Sequence, residues 1–258
     1  MLYYSLSPFP AQKLSAACGN LPPFHPGESA IMNPMASTRS IFDIIGPVMV
    51  GPSSSHTAGA VRLAALARAI FGEQPTVARI GLYGSFADTG EGHGTMLALI
   101  AGLLGLKVDD PRIPDSFELA KSMGLDFSFE EVHFDDAHPN TAVFNLEYPQ
   151  RDKHFYIVGS SIGGGNVVIT QIGDYEVEAT GDLPVIVVSQ SDEPGVISAV
   201  TGLIAAAGIN IASMKLSRKR RGAEALMILE CDSQPDKSII EELKTIAQVH
   251  KVRVVPAV

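Results

Sequence analysis

The chain predicts an α+β fold, and three features of its sequence carry that expectation. A helical apolar period opens near Ala58, consecutive strand-like runs fill much of residues 127–171, and residues 185–255 alternate strands and helices in regular order. Helices mixed with consecutive strands fit an α+β arrangement better than a doubly wound parallel sheet. With 258 residues, 46% of them apolar, the chain can form two modest cores, so two domains are expected.

Residues 1–37 stand apart from the rest. Proline, serine and alanine recur there, no apolar period holds, and no basic stretch precedes an apolar one as a signal peptide requires. They read as a disordered extension. The first strong element follows Gly46-Pro-Val-Met-Val-Gly-Pro-Ser-Ser-Ser-His-Thr57, where Val61, Ala64, Ala65, Leu66 and Ala69 recur at helical spacing up to Phe71. Prolines, glycines and hydroxyls cannot build a core, which places residues 53–57 at the N-terminus of that helix.

A short strand over 77–83, a glycine-rich loop over 84–94 and an apolar helix over 95–104 come next. Asp115-Ser-Phe-Glu118 has the form of a capping box, opening a helix that stops at Gly124. Strands are expected over 127–133, 141–147, 154–158 and 166–171, and residues 174–182, leading to Pro184, read as the domain boundary. Beyond it lie a strand over 185–190, the turn Ser191-Asp-Glu-Pro-Gly195, a helix over 196–207 ended by Gly208, and a strand over 209–216. A strand over 225–231, a helix over 237–247 capped by Asp236, and a strand over 249–255 complete the series. This βαββαβ order is the ferredoxin-like arrangement. The expected domains are therefore 38–181 and 182–258.

Charge and composition exclude several functions. A net charge of −9 argues against nucleic acid or an anionic membrane as partner. The basic run Arg218-Lys-Arg-Arg221 reads as a solvated turn between strands. No apolar run approaches the roughly 20 residues that span a bilayer. Two cysteines, Cys18 and Cys231, are too few for a disulfide framework and fit a reducing cytoplasm. They are also too few for an iron–sulfur cluster, which takes three or four. Neither H-E-x-x-H nor a cysteine pair marks a zinc site.

The polar cluster before the first helix is the chief candidate site. Unpaired N–H groups and the positive end of the helix dipole let such a terminus hold a carboxylate or phosphate without any lysine. The hydroxyls of Ser53, Ser54, Ser55 and Thr57 add donors, and His56 adds a group that titrates near neutrality. A helix cap by itself needs one hydroxyl. His93, in Gly90-Glu-Gly-His-Gly94, repeats this placement before the next helix, although the spacing is not that of a dinucleotide loop and no ribose-binding acid follows. Gly159-Ser-Ser-Ile-Gly163 matches the hydrolase nucleophile pattern, but β-branched residues follow it where a helix is required, so a glycine-rich turn is expected. His138-Pro-Asn-Thr141, read from its residues alone, is a turn.

Phe42-Asp-Ile-Ile-Gly-Pro47, Gly51-Pro-Ser-Ser-Ser-His-Thr57, Gly84-Ser-Phe-Ala87, Gly92-His-Gly-Thr95, His138-Pro-Asn-Thr141 and Ser161-Ile-Gly-Gly-Gly165 together closely resemble the β subunit of iron–sulfur-dependent bacterial L-serine dehydratase. The segment with Asp192-Glu-Pro-Gly195 and Gly208-Ile-Asn-Ile211 resembles an ACT domain. The resemblance covers about residues 39–258, a limit that fits translation from Met32 or Met35. It implies an L-serine ammonia-lyase that deaminates L-serine to pyruvate and ammonia together with a cysteine-bearing α subunit. That subunit would ligate a [4Fe–4S] cluster, whose exposed iron acts as a Lewis acid on the substrate hydroxyl.

On the same grounds His56 and His93 are the implied catalytic residues, and Ser53, Ser54, Ser55, Thr57, His138 and Asn140 the implied substrate-binding residues. ACT domains commonly sense amino acids across a dimer interface, which implies homo-association and an effector site at Asp192, Gly195 and Asn210. Related chains usually carry an acid after Gly-His-Gly-Thr, where this one has Met96. The competing expectation is a non-catalytic regulatory subunit that senses an amino acid or small anion, because similar first domains regulate phosphoglycerate dehydrogenases.

Overall fold

The computed structural model describes residues 48–90 and 92–258; the expected extension over 1–37 and the segment Phe42–Pro47 lie outside them. Six strands form the first sheet: β1 (Val77–Tyr83), β2 (Asp126–Glu131), β3 (Thr141–Tyr148), β4 (Lys153–Gly163), β5 (Asn166–Ile172) and β6 (Tyr175–Ala179). Their order is β2-β1-β3-β4-β5-β6, with β1 and β2 parallel and every other pair antiparallel. The helices are α1 (Gly59–Phe71), the single turn α2 (Ser85–Asp88), α3 (Thr95–Leu103) and α4 (Ser116–Ser122). Leu63, Leu66 and Phe71 of α1, Leu99 and Leu103 of α3, and Ile80, Phe144, Leu146, Ile157 and Ile169 of the strands share one buried core. Apolar residues on one face of each element make that packing favourable.

The second sheet has the order β10-β7-β9-β8, from β7 (Val185–Ser191), β8 (Ile211–Arg218), β9 (Glu224–Cys231) and β10 (Val249–Val255), with α5 (Val196–Ala206) and α6 (Lys237–Thr245) packed on it. This is the strand order of the expected ferredoxin-like unit. The two sheets are not independent. Val185, Leu226, Ile228 and Val255 of the second sheet belong to the core of the first, and all the described residues fall within one compact unit.

Several boundaries differ from expectation for identifiable reasons. Residues 174–182 are not merely a boundary: Gly173, at φ 57, turns the chain into β6, whose Val177 and Ala179 alternate inward as a strand requires. The anticipated glycine-rich turn at 159–163 is the end of β4, and the turn itself is made by Gly163, Gly164 and Gly165, all at positive φ. The capping box does not form its side-chain bond. A 3₁₀ turn over Ile113–Asp115 runs directly into α4, and Ser116 Oγ instead donates to the Leu97 carbonyl at 2.7 Å. Asp236 likewise precedes α6 without a side-chain cap.

Candidate active site

The approach to α1 is tighter than a simple helix start. Ser53 is extended at φ −136 and ψ 125, its Oγ accepts the His56 N–H at 3.1 Å, and its carbonyl accepts the Thr57 N–H at 2.8 Å. Residues Ser54–Ala58 then form a π-helical turn closed by the Gly59 N–H on the Ser54 carbonyl. Such turns are uncommon and concentrate at functional sites. They splay the side chains of consecutive residues, and here Ser54, Ser55 and His56 stay half-buried at the surface.

Thr57, one of the expected substrate-binding residues, lies inside the fold. It is 2% exposed, and its hydroxyl donates to the His93 carbonyl at 3.4 Å. It ties the Gly51–Thr57 motif to the Gly92–Thr95 motif. Ser53 Oγ accepts as the cap and keeps its own proton to donate, and Ser53, Ser54 and Ser55 are all half-buried.

Around His56 the separate motifs converge. Its Nε2 lies 3.1 Å from Ser85 Oγ, 3.3 Å from the Ser85 carbonyl and 3.2 Å from Thr89 Oγ1. Its ring stands 5.0 Å from that of His93 and 5.3 Å, edge-on, from Phe86. His93 Nδ1 is 3.0 Å from the Thr89 carbonyl. Burial lowers the His56 pKa; the Ser85 carbonyl works against that shift and the neighbouring His93 adds to it. The neutral imidazole is thus favoured.

Two glycines make the convergence possible. Gly84, at φ 58 and ψ −126, adopts a conformation reserved for glycine, and a Cβ there would lie 2.8 Å from the Pro139 carbonyl oxygen. The Gly84 loop therefore closes directly on the His138-Pro-Asn segment. Gly59 has ordinary helical angles but no room: a Cβ would fall 2.0 Å from Ser161 Oγ. Ser161 is fully buried and its hydroxyl has no hydrogen-bond partner.

His138 and Asn140 reach the site's edge through this framework. His138 Nδ1 accepts the Asn140 N–H at 3.1 Å, Asn140 Nδ2 donates to the Ser161 carbonyl at 3.4 Å, and the Asn140 carbonyl accepts the Ser161 N–H at 3.0 Å. Helices α1 and α3 run side by side, with Thr57 against His93 near their starts and Gly102 against Val61 and Ala65 further along. Their positive ends therefore face the same region.

The candidate effector residues do not come together within one chain. Asp192 and Gly195 lie beyond the C-terminal end of β7, whereas Asn210 precedes β8 at the opposite end of the sheet. Asp192 is already engaged, accepting from Arg218 at 2.7 Å and from the Gly222 N–H at 3.1 Å; both bonds hold its carboxyl below the usual range. Asn210 Nδ2 donates to Asp232 at 2.8 Å.

Comparison with known proteins bears on this geometry. The family described as "Serine dehydratase beta chain" matches residues 40–121, and "ACT domain" matches residues 185–248. The chain is 41% identical over 214 residues to "Probable L-serine dehydratase, beta chain" of Bacillus subtilis (strain 168), covering 83% of this chain and 96% of that one. The chain belongs to the serine dehydratase beta-chain family. Another serine dehydratase beta chain, from Peptoniphilus asaccharolyticus, is 39% identical across 80% of this chain and 91% of its own. A D-3-phosphoglycerate dehydrogenase of Methanocaldococcus jannaschii is 34% identical over 40% of this chain and 20% of its own.

Among the described residues the donor set of this serine dehydratase beta-chain member does not fit an iron–sulfur cluster. Among the described residues no group of three or more His, Cys, Asp or Glu side chains is gathered as a metal requires. Cys231 is fully buried, and burial, with Asp232 and Glu230 nearby, pushes its thiol up to about 11, away from the thiolate that a metal needs. Among the described residues no helix is long and apolar enough to cross a membrane.

Proposed function

We propose that this chain is the β chain of a two-chain L-serine dehydratase, in which it supplies substrate-binding loops to a site shared with a cysteine-bearing α chain. One observation carries the reading: residues 53–57, 84–89 and 92–95 meet at the His56–His93 pair, beside the starts of two helices, with Pro139 and Ser161 packed against Gly84 and Gly59. Its own residues suit the substrate. The accessible hydroxyls of Ser54 and Ser55, with the positive helix ends, hold the carboxylate of L-serine. His56, kept neutral by burial, takes part in hydrogen bonding and proton transfer to the bound amino acid.

The iron–sulfur cluster belongs, on this reading, to the α chain, because the donors here do not fit it, and no step is assigned to it in this chain. The relatives' designation as beta chains supports such a partner. A cytoplasmic compartment fits this reading, since two cysteines are too few for a disulfide framework.

Anaerobic co-expression with a cysteine-bearing α chain, followed by a serine-to-pyruvate assay, tests the proposal. Pyruvate formation that requires both chains is the expected result. A cluster-loaded pair that makes none contradicts it. The likeness to a D-3-phosphoglycerate dehydrogenase favours a second reading, a non-catalytic chain that senses amino acids or small anions. Serine binding by this chain without turnover in the pair is what that alternative expects.

A further inference from the structure

The hydrogen bonds around the two imidazoles determine where their protons sit. Thr89 Oγ1 is 2.8 Å from the Ser85 carbonyl, and since a carbonyl only accepts, the threonine proton points there. Toward His56 Nε2, 3.2 Å away, the same oxygen can offer only a lone pair. The Ser85 carbonyl, 3.3 Å from Nε2, can also only accept. Two of the three Nε2 contacts therefore require Nε2–H, and the third, Ser85 Oγ at 3.1 Å, accommodates it. His93 has the opposite pattern: Nδ1 faces the Thr89 carbonyl at 3.0 Å and must carry the proton.

We propose that Thr89 is a positioning residue that helps fix the two imidazoles in opposite tautomers, its hydroxyl, together with the Ser85 carbonyl, holding His56 as Nε2–H and its own carbonyl holding His93 as Nδ1–H. In the neutral pair the free lone pairs are then Nδ1 of His56 and Nε2 of His93. If the site works as proposed above, on which the catalytic consequence rests, those are the two atoms that can receive a proton. One residue, placed one turn beyond Ser85 and four residues before His93, bears on both rings. A second tautomer of His56 would bring unshared pairs together at the Ser85 carbonyl and at Thr89 Oγ1.

The test is a long-range ¹H–¹⁵N correlation spectrum of the full chain labelled with ¹⁵N-histidine, recorded in mildly alkaline buffer where the rings are neutral. Loss of signals in His56→Asn and His93→Asn variants assigns the two rings. The expected spectrum shows His56 protonated at Nε2 and His93 at Nδ1. Thr89→Val, which keeps the shape and removes the hydroxyl, should admit a detectable Nδ1–H population at His56, the Ser85 carbonyl remaining as the one obligate acceptor for Nε2–H, while leaving His93, held by backbone, as it was. Thr89→Ser should restore the single His56 pattern.

A wild-type His56 protonated at Nδ1, or a Thr89→Val spectrum with His56 unchanged, overturns the proposal. If Thr89→Val does not fold, the wild-type tautomers decide. The readout needs neither the α chain nor turnover, so a failure to deaminate serine would count against the function and not against the role of Thr89.

Discussion

His56 lies between a carbonyl that favours its protonated form and a half-buried setting, with a second imidazole nearby, that opposes it; the opposition prevails and its pKa falls below the ordinary 6.5. A depressed imidazole pKa means that the unfolded chain binds the proton first, so stability from this group is intact above 6.5 and declines as pH drops below it. The same shift predicts that the acid limb of kcat/KM in the proposed two-chain enzyme lies below 6.5, because the role proposed for His56 needs its neutral form. A pH profile with that limb at or above 6.5 contradicts the assignment. His56→Ala should lower kcat by about 10²–10⁴-fold, the usual contribution of a positioned acid or base, as steady-state assay of the pair would show. The sequence revealed His56 and His93 as residue types at helix starts. It could not reveal that Thr57 is buried or that Ser85 and Thr89 hold the ring, since those contacts join residues 29 to 36 positions apart.

At the scale of elements, the long helical periods and the terminal βαββαβ order were readable because each repeats a pattern over many residues. Short or locally encoded features were not. The four-residue α2 has no period of its own, and β6 lies between glycines that resemble a linker. The π-helical turn leaves no sequence signature beyond its polar residues, and its closure depends on contact with β4. Gly59 packed against Ser161 is that contact, so Gly59→Ala should cost about 1–3 kcal/mol, the range for overpacking a tight site. Thermal unfolding would register it, and pairing the change with Ser161→Gly, which removes both obstructing atoms, should recover part of the loss. Equal losses with and without the second change would show that the contact does not position the turn.

Across the whole molecule, α1 is fastened to the second sheet, where Arg253 of β10 donates to the Ile70 and Phe71 carbonyls, and to the C-terminal segment. Arg62, one turn into the helix, donates to the Gly165 carbonyl at 2.9 Å, to Asp182 at 2.7 Å and to the Val258 carbonyl at 3.1 Å. Glu230 of β9, 8% exposed, accepts from Thr180 N–H at 2.8 Å, from Thr180 Oγ1 at 2.9 Å and from Ser213 at 2.8 Å. The exposed side of the Arg62–Asp182 pair contributes little, but hydrogen bonds from a charged donor to carbonyls are worth about 1.5–3 kcal/mol. Arg62→Met should therefore lower the melting temperature by roughly 5–10 °C, read by calorimetry. That fastening was invisible in the sequence, which suggested two domains, 38–181 and 182–258; the shared core came only from the fold.

The central claim is that the hydroxyl row before α1 holds the substrate carboxylate at a site completed by another chain, and its most direct test is the Michaelis constant of Ser54→Ala and Ser55→Ala in the reconstituted pair. Losing one hydrogen bond to a charged substrate, about 1.5–3 kcal/mol, predicts a rise of roughly 10- to 100-fold. Wild-type constants in both variants would contradict it.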